Sequence, residues 1–86
     1  MASTRIYIPT PTGDLISLNS ARGMRILPDG RVLLPGEDNS PVAVFDPDEY
    51  EGVDRDEVVK TFRRLLIDHG NGKPVVLPDW MKSLLA

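Results

Sequence analysis

From Gly52 to Gly72 the chain carries the start, body and stop of one amphipathic helix, and a chain this short must organise its fold around it. Asp54 is placed to accept from the free N–H groups of a first turn. Glu57, three residues on, is placed to reach back, the pattern of a capping box. Val53 and Val58 stand at the positions of a hydrophobic staple across that cap. Asp54, Asp56 and Glu57 crowd the positive end of the dipole, with Lys60, Arg63 and Arg64 further along. Gly70, followed by Asn71, Gly72 and Pro74, supplies the stop. At ~100° per residue, Val58, Val59, Phe62, Leu65, Leu66 and His69 share a stripe about a third of the circumference wide. The spacing predicts a helix over residues 54–69 with one face to bury.

The partner for that face must come from the residues before it, which read as short strands. Arg5-Ile6-Tyr7-Ile8 is ended by Pro9 and Pro11, and Leu15-Ile16-Ser17-Leu18 follows the loop of residues 9–14. Pro28-Asp29-Gly30 joins Met24–Leu27 to Arg31–Leu34 as a hairpin: Pro presets φ, and Gly takes the left-handed position that realigns the strands. Val42–Phe45 is the last strand, and residues 46–50 suit a single helical turn. Apolar side chains fall on both faces of these strands, for Leu15 opposes Ile16 and Leu18, and Ile26 and Leu34 oppose Leu27 and Leu33. One helix covers only one face of a sheet. The other calls for barrel closure, the C-terminal tail or a partner subunit; tail plus partner is the expectation. In that tail Asp79 can cap a short helix over residues 79–85, too short to persist undocked.

The fold class is therefore α+β in a single domain, residues 1–86: an antiparallel meander of four or five short strands over residues 5–46, crossed by one long helix, with a short C-terminal helix. A small closed barrel with an appended helix is the rival. Only two Phe, two Tyr and one Trp serve the core, so it is aliphatic and modest, and association of identical chains is expected. Zero cysteines excludes disulfide and thiol chemistry and fits a cytoplasmic protein. No apolar run reaches the ~20 residues that span a bilayer, and no signal-peptide or myristoylation pattern follows Met1.

Charge is uneven. Residues 37–57 carry a net −8, between flanks of +2 and +3. A net −3 chain without a basic stripe lacks the phosphate-neutralising surface that nucleic-acid binding needs, so no direct nucleic-acid contact is expected. The acidic block reads as a solvated loop feeding a helix N-terminus, or as a surface that meets a basic partner.

Catalytic chemistry has little to stand on. His69 is the only histidine, at the edge of the apolar stripe, and no Gly-x-Ser-x-Gly elbow is present. One His and no Cys make a zinc or iron centre within one chain untenable, and no cofactor or metal is expected. Asp46-x-Asp48-x-Tyr50 begins like a calcium loop, but Glu51 stands where the EF-hand turn requires Gly. Gly70-Asn71-Gly72-Lys73 resembles a fragment of a phosphate loop, yet it follows a helix instead of preceding one.

Two readings survive. The first is a small non-catalytic interaction protein, not an enzyme, binding a partner protein and assembling with itself. Compact acidic domains of this kind serve as accessory subunits or as inhibitors encoded by phages and mobile elements. Its contact residues would be Ile67, alone on the polar side of the helix beside Arg63 and Arg64, and Trp80, Met81 and Leu84 in the tail. The second is an oligomeric sequestering protein holding a nucleotide-like anion where subunits meet, through Arg63, Arg64, His69 and Lys73.

Overall fold

The computed structural model describes residues 6–85, folded as two antiparallel sheets and two helices. The strands are β1 (Tyr7–Pro9), β2 (Leu15–Ser17), β3 (Arg25–Ile26), β4 (Val32–Pro35) and β5 (Pro41–Phe45). The helices are α1 (Arg55–Gly70) and α2 (Asp79–Leu85). The α+β class holds, with the meander divided: β1 and β2 form one sheet, and β3-β4-β5 form another. Arg5 lies outside the described residues. The strand after β2 is not its neighbour; β5 approaches β2 instead, without pairing with it, and β3 takes the far edge. A single 3-10 turn at Leu18–Ser20 ends β2, and the Arg22 N–H then bonds to the Pro35 carbonyl, carrying the chain to the outer side of β4.

The hairpin turn forms as its residues dictate. Gly30 has φ +91°, the Leu27 and Arg31 backbones are hydrogen-bonded, and the Asp29 carboxylate accepts from the Arg31 N–H at 3.0 Å and its guanidinium at 2.7 Å. Those bonds, the backbone one foremost, hold the Asp29 carboxyl below its usual range. Arg55, in the first turn of α1, donates to the Gly30 carbonyl and lies 3.4 Å from Asp48 and 3.8 Å from Asp46. It ties the hairpin to the start of the helix. Asp46 caps the turn Pro47–Glu49 by accepting from the Asp48 N–H at 2.9 Å.

The cap of α1 differs from the expected capping box. Asp54 occupies the N-cap position, but its side chain accepts no hydrogen bond there; its carbonyl takes the Val58 N–H at 3.0 Å. Glu57 turns the other way and accepts from the Thr61 hydroxyl at 3.3 Å. A buried Thr on the packed face needs that acceptor, and with it Glu57 is held away from the cap.

Cross-strand register sets the core. Ile8 opposes Ile16 in the first sheet, and in the second Ile26, Val32 and Phe45 align. From these faces Ile8, Leu18, Val32 and Leu34 are fully buried with Val58, Phe62 and Leu65 of α1. Phe45 packs against Phe62 with ring centroids 4.8 Å apart, and Tyr50 stands edge-on to Phe45 at 5.9 Å. The tail closes one end of this core, with α2 lying against β1 and Met81 fully buried. It does not cover the second sheet face: Leu15 remains 57% exposed and Val44 42%.

Candidate functional site

Tyr50 is the residue around which an apolar and acidic surface groove is built. In the β1–β2 ladder the Leu18 N–H bonds to the Ile6 carbonyl and the Thr10 N–H to the Asp14 carbonyl, which makes Pro9 and Leu15 a non-hydrogen-bonded pair. Pro9 therefore loses nothing by lacking an N–H, and its carbonyl points away from β2. The Tyr50 hydroxyl donates to that carbonyl at 2.6 Å in a buried setting. Burial pushes the Tyr50 phenol well above its ordinary pKa. On its other side the Tyr50 ring meets Trp80 edge-on, with centroids 5.1 Å apart.

The groove beside this pair has Pro11, Tyr50, Val53, Trp80 and Leu84 as its apolar lining, with Glu49 and Glu51 among them. A second groove, between β2 and β5, continues from it through Pro11 and Glu49 and adds Asp14, Leu15, Val44 and Asp46. No Lys, Arg or His lines either one. Leu84 is 49% exposed at the rim.

A third groove lies between α1 and the edge strand β3, lined by Gly23, Met24, Ile26, Arg63, Leu66 and Ile67. It shares no residue with the first two. Ile67, expected on the polar side of the helix, is 55% exposed there beside Ile26.

The expected interface residues thus separate. Ile67 belongs to the α1–β3 groove, and Trp80 and Leu84 to the acidic one. Met81 is a correction: it is wholly buried, holding α2 against β1, and presents nothing for a contact. In a seven-residue helix the apolar pattern does not fix which side turns inward, and Met81, between half-buried Trp80 and exposed Lys82, proved to be that side.

Of the expected anion-binding set, Arg63 borders the α1–β3 groove and His69 lines an adjoining depression with Asn19, Arg22 and Leu66, the two sharing Gly23 and Leu66. The backbone N–H groups after the helix are committed. Asn71 donates to Ile67 and Asp68, Gly72 to His69, and Lys73 to Asp68, all at 2.9–3.2 Å. They satisfy the last carbonyls of α1 instead of facing an anion.

Among the described residues, no three His, Cys, Asp or Glu side chains gather as a metal site. None of their helices is long and apolar enough to cross a membrane. Fold and surface together define a small α+β domain with two adjoining grooves lined by apolar and acidic side chains and a third between α1 and β3. Comparisons with protein families, curated proteins and solved structures find no match to this chain.

Proposed function

We propose that this chain is a non-catalytic interaction protein, an accessory subunit or inhibitor, that acts by occupying a partner protein and also associates with copies of itself. The observation that carries this reading is apolar surface left over after the core is complete. Leu15, Ile67 and Leu84 stand about half exposed in grooves, while the core side chains have no unsatisfied buried polar atom among the described residues. Apolar surface gathered in a groove, in contrast to scattered single residues, is the usual mark of a contact site. The polar side chains of the first two grooves are carboxylates and threonine hydroxyls, with no Lys, Arg or His beside them.

Two measurements test the reading. A photo-reactive side chain placed at position 84 or 67, in cells that encode the protein, should give a defined cross-linked protein product that the same group at exposed Asp56 does not. Light scattering of the purified protein should give a molar mass of at least twice the 9.5 kDa of one chain at high concentration. Identical cross-linking at all three positions, together with a strict monomer, would overturn the proposal. So would turnover or saturable binding of a small molecule in the acidic groove.

A further inference from the structure

Two surfaces of this chain are opposite in charge, one an apolar groove with acidic walls and the other a basic ridge with one apolar side chain. The first is the groove of Tyr50, Val53, Trp80 and Leu84 with Glu49 and Glu51 on its wall. Among the described residues neither glutamate enters an ion pair; the recorded pairs are Arg22 with Glu37, Arg31 with Asp29, and Arg55 with Asp46 and Asp48. The second is the outer ridge of α1. Lys60, Arg63, Arg64 and Ile67 are all exposed and fall within about one third of the helix circumference, at i, i+3, i+4 and i+7. None of the three cations is paired within the described residues, and no carboxylate lines the groove beside Arg63 and Ile67.

We infer that the acidic groove receives the basic α1 ridge of a second copy, so that chains associate head to tail. Ile67 seats against the Trp80–Leu84 floor, and Arg63 and Arg64 reach Glu49 and Glu51 at its rim. An exposed helix ridge with one apolar anchor and flanking cations is the shape and charge that an acidic groove accepts. The contact is heterologous, since the two surfaces share no lining residue. Each open assembly therefore keeps one groove and one ridge free, at its two ends, until a ring closes or the chain extends. Association rises with concentration and weakens as salt screens the rim charges.

This inference rests on the self-association read above, and the test separates the two. Sedimentation velocity is run from about 10 μM to about 1 mM, a range that brackets weak to moderate affinities. It compares the wild type with Ile67→Glu and Leu84→Glu, both exposed positions whose folding is checked by thermal melting. Each variant alone should associate at least tenfold more weakly than the wild type. Their equimolar mixture should recover a 1:1 heterodimer and stop there, because only one intact groove meets one intact ridge. Arg63→Glu/Arg64→Glu and Glu49→Lys/Glu51→Lys form a second pair, each weak alone and recovered on mixing. Loss in only one member of the first pair would indicate a two-fold interface through a single face and overturn the head-to-tail contact. Oligomers unaffected by any variant would overturn it while leaving self-association standing. A wild type that stays monomeric throughout would remove both.

Discussion

Replacing Tyr50 by Phe deletes one oxygen atom and leaves the aromatic cluster with Phe45, Phe62 and Trp80 its packing. The deleted hydroxyl is the donor to Pro9, 2.6 Å away, and the register of β1 aims that carbonyl away from β2. In the variant a buried carbonyl stands without this partner, at a cost of about 1–3 kcal/mol. A domain of this length loses about 4–8 °C of melting temperature per kcal/mol, so a mid-range cost near 2 kcal/mol lowers Tm by about 8–16 °C. Calorimetry at neutral pH measures this directly.

The pH dependence gives an independent check. Burial holds the folded phenol protonated above its ordinary pKa, whereas the unfolded phenol ionises near pH 10. The stabilisation is thus fully present below about pH 10 and is lost as pH rises beyond it, since only the unfolded chain releases the proton there. Tyr50→Phe has no such proton to release. The gap between wild type and variant should be widest near neutrality and narrow steadily above about pH 10. A neutral-pH difference within about 2 °C, well below the expected shift, would refute the buried hydrogen bond. A gap that stays constant into alkali would refute the role given to burial.

Four further substitutions probe other parts of the fold. Gly30→Ala puts a Cβ at φ +91° and 2.8 Å from the Arg55 guanidinium, and should cost about 1–2 kcal/mol in urea unfolding with an unchanged slope. Met81→Ala empties a fully buried site and should cost about 2–4 kcal/mol, with a shift in Trp80 fluorescence as α2 loosens. Asp54→Ala should cost less than about 0.5 kcal/mol, because its carboxylate makes no cap bond, whereas Asp46→Ala, which removes a real one, should cost about 0.5–1 kcal/mol; parallel thermal melts compare them.

Much of the architecture was legible because local chemistry and tertiary packing agree. The Pro28-Asp29-Gly30 turn, the capped turn after Asp46 and the bounds of α1 and α2 all arise from residues within a few positions of one another. The division into two sheets was not. Strand periodicity says which side chains share a face but not which strand lies beside which, and the swap of neighbours depends on Arg22 reaching Pro35. The capping box failed because Thr61, which is not among the apolar residues of the stripe, is buried and its hydroxyl bonds to Glu57. At the surface, the exposure of Ile67 followed from helical spacing, whereas which side of the short α2 turns outward did not. Tyr50 was missed as the pivot of the acidic groove, since only the fold brings it to Pro9 and Trp80, at separations of 41 and 30 residues. The stretch Gly70–Lys73 serves as the helix stop its residues spell, its backbone N–H groups closing the last turn of α1.

Tyr50 stands in two places at once: its hydroxyl fastens the inner face of β1, and its ring forms part of the outer wall where Trp80 and Leu84 meet solvent. Whatever nests against that wall also braces the phenol that locks the domain together. Occupancy of that wall would therefore lend the interior toughness against heat and alkali.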